Sequence, residues 1–307
     1  MKPGEGQIGD VRAAASGSAT KTKFLVGLIG EGIQGSRSPA LHEREARCQG
    51  LALHYELIDL AQGGGSIADL PRLIESAQAM GFDGLNITYP CKQAVLPLLD
   101  ELSDEARAID AVNTVVFRDG KRKGFNTDSA GFLIPFREKF GDVSRQTIVL
   151  VGAGGAGAAV AYAVLASGAA RLFIVDRDEA RAKALAKRMA KRFPEGLLAS
   201  TDEIASVVKR ADGVIHATPT GMAGHPGLPF DPSLLRSGMW LAEIVYVPLE
   251  TEILRAARER GCRTLDGGGM AVWQAVEAFE CFTGIKPDAA RMEAHFRQMV
   301  AGGGGGA

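Results

Sequence analysis

Residues 147–176 read TIVLVGAGGAGAAVAYAVLASGAARLFIVD. From Thr147 to Ala170 the stretch carries no charge, which invites a membrane-span reading. A glycine cluster placed directly after a β-branched run argues instead for strand, loop, then helix. Gly152, Gly154 and Gly157 stand in the GxGxxG pattern, interleaved with Ala153, Gly155 and Ala156. The first glycine permits a tight turn, the second lets the backbone approach a pyrophosphate, and the third lets helix and strand pack closely. The helix that opens there presents free N–H groups and a partial positive charge to phosphates. The next strand, RLFIVD, ends on Asp176, at the spacing where an acidic residue accepts both ribose hydroxyls of NAD. A carboxylate there repels the 2′-phosphate of NADP, whereas Arg177 beside it could attract one. NAD is therefore the expected cofactor and NADP the alternative. The plain structural reading of the same residues is a tight turn with a solvated strand-end pair.

The pattern continues in both directions. Downstream come a long charged helix (179–193), strand ADGVIHATP, strand WLAEIVY, a helix over 250–260 and a last helix from about Met270. Upstream, FLVGLIG (24–30) reads as a strand and SPALHEREARCQG (38–50) as a helix, with proline near its start and glycine at its end. LHYELIDL and FDGLNIT read as strands around the helix ADLPRLIESAQAM. NTVVFRDGKRKGFNTD reads as a hairpin turning at Asp119-Gly120. Strands alternating with helices imply parallel pairing.

The fold class is therefore α/β, with an N-terminal α/β substrate domain over 23–140 and a C-terminal Rossmann-type dinucleotide-binding domain over 141–270. The boundary falls near Lys139 to Gln146, and the active site is expected in the cleft between the two. Helices over about 271–300 are expected to pack back across that cleft. Residues 1–22, rich in glycine, alanine and serine, read as a disordered leader, and 301–307 as a disordered tail.

At 307 residues the chain suits two domains. Its 35 basic and 36 acidic residues make no electrostatic case for nucleic acid or an anionic membrane. A small molecule is the expected partner, in a monomer or homodimer. Four scattered cysteines without a CxxC pair, and five isolated histidines, argue against a metal site and suit a reducing cytoplasm.

The first half carries polar residues at strand ends. GSRSP places Ser36 and Ser38 two apart before a helix; if extended, both hydroxyls face one way and form a neutral cradle for a carboxylate. Ser38 reads equally as a helix cap. Asn86 and Thr88 repeat that geometry in NITYPCKQA (86–94), where Lys92 stands at the mouth of an expected helix. Asn113 opens the hairpin, and Asn126, Thr127 and Asp128 close it. Each is an ordinary turn residue taken singly. Together they cluster at strand ends, where α/β sheets bind ligands.

SRSPALH, NITYPCK, AVNT, NTD, GAGGAG, ATPTGM and GGGMAVWQA follow one another in the order found in the shikimate dehydrogenase family, which this chain resembles over nearly its whole length. The resemblance implies a catalytic pair, Lys92 and Asp128. It implies that Ser36, Ser38 and Thr88 hold a substrate carboxylate and ring hydroxyls, with Asn86, Asn113 and Gln274 completing the hydroxyl contacts. Tyr246 then lies near the substrate and nicotinamide, and Thr218, Gly267 and Met270 against the cofactor. Members using NADP usually carry Asn-Arg-Thr where this chain has Asp176-Arg177-Asp178. That difference, with VYVPLETEIL and HPGLPFD, points to the NAD-using quinate/shikimate branch. His216 and Glu243 replace a common asparagine and a common aspartate and have no explanation at this level.

What the resemblance implies is an oxidoreductase acting on a CH–OH group, with shikimate, quinate or both as substrate. Oxidising a ring alcohol releases a proton that a positioned lysine can take. Burial opposes a charge on Lys92 while a neighbouring carboxylate favours it, so proton carriage and hydrogen-bond anchoring are both open to it. A biosynthetic NADP enzyme and a non-catalytic sensor are the alternatives. A sensor would be free to lose Lys92 or Asp128, and both are present.

Overall fold

A computed structural model describes residues 21–194, 197–200 and 203–302. In chain order the first half contains β1 (Lys23–Gly30), α1 (Ser38–Cys48), β2 (Ala52–Asp59), α2 (Leu70–Ala79), β3 (Gly84–Ile87) and β4 (Glu101–Leu102). It continues with α3 (Asp104–Ile109), β5 (Thr114–Arg118), β6 (Lys121–Phe125) and α4 (Asp128–Phe140). The second half contains β7 (Thr147–Val151), α5 (Gly155–Ala166), β8 (Arg171–Val175), α6 (Glu179–Arg192), β9 (Leu197–Ser200), α7 (Ile204–Val208) and β10 (Gly213–His216). It ends with β11 (Trp240–Glu243), α8 (Glu252–Glu259), β12 (Arg263–Leu265), α9 (Gly268–Thr283) and α10 (Ala289–Gly302).

The strands form two sheets. The second, ordered β12-β11-β10-β7-β8-β9, is parallel throughout. Its strand order reverses between β7 and β10, and ligands of doubly wound sheets bind at that reversal. The first sheet, ordered β2-β1-β3-β5-β6-β4, is mixed. Its β2, β1 and β3 are parallel, but β5 runs antiparallel to both β3 and β6. The hairpin expected at Asp119-Gly120 is there: both residues have positive φ, and the two-residue turn folds β6 straight back on β5.

Two expected elements change form. The helix expected at Lys92 is a run of turns over 89–95 leading into a short 3-10 helix, Leu96–Leu98, so Lys92 sits on irregular backbone. The NTD run closes the hairpin and also starts α4, a helix that turn-type residues concealed. The ends differ too. Lys21 pairs with Asp83 and Thr22 accepts the Ala52 N–H, so these two residues of the expected leader belong to the fold. α10 reaches Gly302, into the expected tail. The rest of both expectations, 1–20 and 303–307, lies outside the described residues. Among the described residues no helix is long and apolar enough to cross a membrane.

α4 lies between the halves. Phe132, Phe136 and Phe140 recur every fourth residue and stack on one another and on Trp240 of β11, at centroid distances of 5.1 to 5.6 Å. Each such fully buried aromatic contributes about 2–3 kcal/mol by burial. Trp240 fills the space over Gly213, where any Cβ would stand 2.0 Å from its ring. α4 also packs tightly on α9: a Cβ at Gly131 would stand 3.0 Å from the Gln274 nitrogen, and one at Gly269 2.7 Å from Pro135 Cβ. α10 is fastened onto α1 by Arg291, whose guanidinium donates to both oxygens of the buried Glu45 carboxylate at 2.7 and 2.8 Å. Helices after residue 267 therefore rest on elements of the first half.

Candidate active site

The expected catalytic pair is in contact. Lys92 Nζ donates to Asp128 Oδ2 at 2.6 Å; the aspartate side chain is 1% exposed and the lysine 18%. Asp128 opens α4, and its N–H donates to Asn126 Oδ1 at 3.1 Å. Its second oxygen, Oδ1, accepts from Asn113 Nδ2 at 2.9 Å. Asn113 Oδ1 accepts the Thr127 N–H at 2.8 Å and the Thr114 hydroxyl at 3.0 Å. Asn86 Nδ2 donates onward to Thr114 Oγ1 at 3.0 Å, and Tyr55 donates its phenol hydrogen to Asn86 Oδ1 at 2.8 Å. The Ser38 hydroxyl lies against the same phenol. Burial, weighing more than that contact, pushes the Tyr55 phenol well above its ordinary value.

A polar chain thus runs from Ser38 to Lys92 through two residues that the sequence did not mark, Tyr55 and Thr114. Both sit inside strands, where alternation reads them as packing. Asn126 is turned inward, donating to the Ala111 carbonyl at 2.9 Å, and serves the turn.

The serines do not form the extended cradle expected of them. Arg37 between them has φ −87° and ψ −7°, so the alternation of an extended chain does not apply. Ser36 Oγ instead accepts the Ser38 N–H at 3.2 Å, and Ser38 is the first helical residue rather than its cap. Thr88 donates its N–H to the Ile29 carbonyl at 2.9 Å, and its hydroxyl is without a partner among the described residues. The Gln274 side-chain amide is equally uncommitted, and the residue's backbone nitrogen and Cβ pack against Gly131 of α4. Tyr246 is half-buried; burial raises its phenol, with the nearby Arg37 charge opposing.

The glycine loop faces this network. Lys92 Cδ lies 3.4 Å from where a Cβ at Gly155 would stand, which brings the two halves of the candidate site together. Gly152 has φ +110°, and a Cβ there would meet the Ala217 carbonyl oxygen at 2.5 Å; one at Gly157 would meet the Gly152 oxygen at 2.1 Å. A Cβ at Gly154 would meet nothing within 4 Å, so the loop is open where a pyrophosphate would lie. The first-turn N–H groups of Gly155, Ala156 and Gly157 cannot bond within α5. Asp176 accepts the Ala153 N–H at 2.7 Å and the Asp178 N–H at 2.9 Å, which ties the loop to the end of β8. Two of its carboxylate's four lone-pair positions are left for hydroxyl donors. These residues fit a dinucleotide. Arg177 stands exposed on the rim. Gly267 caps α9 where a Cβ would meet the Ile244 oxygen at 2.3 Å, which sets it and the buried Met270 beside the Tyr246 loop. Among the described residues no cluster of side chains could hold a metal ion.

A parallel sheet with a glycine loop, and a polar network ending in a Lys–Asp pair set against that loop, are the arrangement of a two-domain dehydrogenase. Residues 28–115 match the family model for the shikimate dehydrogenase substrate binding domain. Residues 136–222 match that for shikimate / quinate 5-dehydrogenase, and 267–295 that for the shikimate 5′-dehydrogenase C-terminal domain. The chain belongs to the shikimate/quinate dehydrogenase family.

It is 52% identical to a shikimate dehydrogenase (NADP(+)) of Streptomyces avermitilis, over 92% of this chain and 97% of the relative. It is 47% identical to a quinate/shikimate dehydrogenase (NAD(+)) of Corynebacterium efficiens, over 90% and 98%. Among solved structures, the quinate dehydrogenase of Corynebacterium glutamicum in complex with NAD superposes with a TM-score of 0.83 at 46% identity, covering 90% of this chain and 99% of that one.

Proposed function

We propose that the protein is an NAD-preferring oxidoreductase that interconverts shikimate, quinate or both with the corresponding 3-dehydro acid. The observation that carries this reading is the Lys92–Asp128 pair held against the glycine loop at Gly155. When bound, the nicotinamide takes or returns the hydride. The chain's own residues manage the proton: Lys92 as amine takes it from the ring hydroxyl, and as ammonium returns it in reverse. Asp128, fixed by Asn113, stabilises the ammonium that forms. Ser36, Ser38 and Thr88 hold the carboxylate and ring hydroxyls, and the uncommitted Gln274 amide, Asn86 and Tyr246 complete the pocket. Asp176 supports NAD, because its remaining lone pairs accept ribose hydroxyls and its charge repels a 2′-phosphate.

A second reading, NADP-dependent shikimate oxidoreduction, is favoured by the name of the Streptomyces relative and by Arg177, whose guanidinium has no acidic partner among the described residues. The four free cysteines support a cytoplasmic setting.

Initial rates of nicotinamide reduction with shikimate or quinate, each with NAD or NADP, test the proposal. Activity with NAD and loss of that preference in Asp176→Asn are the expected results. Activity confined to NADP moves the second reading to first place. Silence in all four conditions with ligand binding intact makes the protein a sensor.

A further inference from the structure

His216 and Glu243 end neighbouring parallel strands in register, and both side chains are 0% exposed. Donors fill the carboxylate. Oε1 accepts the N–H groups of Ile244 and Val245, each at 3.1 Å, and Oε2 accepts the Thr251 hydroxyl at 3.3 Å and faces His216 Nδ1 at 2.8 Å. A carboxylate only accepts, so Nδ1 carries the hydrogen and Nε2 is left to meet the Thr218 hydroxyl. Thr218 also meets the Thr220 hydroxyl at 3.1 Å and the Thr220 N–H at 3.3 Å. Its methyl would stand 2.9 Å from a Cβ at Gly152, which sets it beside the first glycine of the loop.

Burying an imidazole and a carboxylate costs free energy that two apolar residues would not. This couple stands at the reversal of strand order between β10 and β7, where a dinucleotide crosses from its adenosine half to its nicotinamide half. It also joins the two loops that flank the crossing. Glu243 holds the start of the Tyr246 loop and, through Thr251, the N-cap of α8, while the Ala223 N–H donates to the Val247 carbonyl at 2.9 Å.

We propose that His216, oriented by Glu243, is a positioning residue: its Nε2 takes the Thr218 hydroxyl hydrogen, so that the oxygen accepts from a donor on the nicotinamide half of the bound dinucleotide in place of the Thr220 hydroxyl. The inference rests on reading the glycine loop as a dinucleotide site. It gives the two unexplained replacements one joint role, because each is the other's buried partner.

Calorimetric titration of the intact chain with NAD+ and with NADP+, without any acid substrate, tests it. Thr218→Val keeps the methyl against Gly152 and removes the hydroxyl; binding weakens about tenfold, the effect of one hydrogen bond. Thr218→Ser stays within about twofold, because the bond is kept. His216→Asn weakens binding about as much as Thr218→Val, and the double variant is no weaker than either single one, since both changes remove one coupled contact. The Michaelis constant for the acid substrate stays unchanged throughout. Wild-type binding by Thr218→Val, or losses that add in the double variant, overturn the proposal. If His216→Asn does not fold, the Thr218→Val and Thr218→Ser pair still decides. A wild-type chain that binds neither dinucleotide overturns the reading of the loop itself; variants that all bind like a binding-competent wild type overturn the relay alone.

Discussion

Tyr55, Asn86, Thr114 and Asn113 each donate to the next member of a chain that ends on Asp128, with Lys92 donating to the carboxylate's other oxygen. Donors in series strengthen one another in a low-dielectric interior, so the pair is held by the whole chain. Lys92→Ala should lower turnover at least about a hundredfold, the low end for a general acid–base group. Steady-state rates check this, and near-normal turnover removes Lys92 from proton handling. Tyr55→Phe leaves the Asn86 oxygen without its donor and should cost about 1–2 kcal/mol in a urea melt. It should also raise the Michaelis constant for the acid but not for the dinucleotide; a rise in both would mean general damage. His42 offers a test by pH. It is enclosed by Tyr55, Phe279 and Phe282, its Nε2 has no partner, and burial, against a Ser38 backbone bond, lowers it from 6.5 to about 4. Between pH 4 and 6.5 the unfolded chain therefore binds the proton that the fold refuses, and stability is lost as pH falls through that window. Relative to His42→Phe, the wild type should lose up to about 3 kcal/mol between pH 6.5 and 4. A difference in unfolding free energy that is independent of pH would disprove it. Lys92 and Asp128 were legible because they stand in short ordered motifs. Tyr55 was not, because inside a strand it looks like packing until its neighbours are known; Thr114 and His42 stand in the motifs AVNT and SRSPALH, but nothing local shows what they touch.

α4 is the element that the sequence concealed. Gly131 and Pro135 both lower helix propensity, and Pro135 removes a backbone hydrogen bond from the helix interior. The helix forms because its phenylalanine stripe meets Trp240, a partner more than a hundred residues of folding logic away in β11. The same two residues give α9 its close approach, since the small glycine admits Gln274 and the proline ring sits over Gly269. Asp128 begins α4 and Gln274 rides on α9, so the distance between these helices sets the width of the candidate pocket. Gly269→Ala places a Cβ 2.7 Å from the rigid Pro135 ring. Overpacking of this kind should cost about 1–3 kcal/mol in thermal or chemical melts. Turnover should fall with it, because the helices that carry Asp128 and Gln274 are pushed apart. Unchanged turnover at reduced stability would separate the helix contact from the site. The glycine loop, by contrast, was readable as an element, because its turn, helix start and strand-end acid lie within one continuous stretch.

At the scale of the molecule, the alternation of strands and helices predicted two α/β units, with an antiparallel hairpin in the first and the last helices packing back. What was not legible is the strand order, in which β5 runs antiparallel to β3 as well as to β6. Strand order depends on contacts between distant segments, which local periodicity does not encode. Two chain crossings join the halves near the cleft: α4 leads through residues 141–146 into β7, and β12 leads through Asp266 and Gly267 into α9. Away from the cleft, Arg188 of α6 pairs with Asp110 at the end of α3 at 3.0 Å, an exposed contact of the kind that contributes at most about 1 kcal/mol. The halves also share an apolar core at α4, where Phe132, Phe136 and Phe140 pack with Ile148, Leu150 and Trp240, so any hinge turns about that contact. Yet Lys92 can serve a proton at the nicotinamide only while its stem lies against the glycine loop, as it does at Gly155. Filling both halves should therefore draw the molecule together: solution scattering should show a smaller radius of gyration with acid and dinucleotide than with either alone or neither. An abortive pair, oxidised dinucleotide with the 3-dehydro acid, holds both sites filled without turnover and is the suitable probe. Identical curves in all four states would mean that the cleft is already closed in the free chain, and that the Lys92–Gly155 contact is a permanent part of the fold rather than one made on binding.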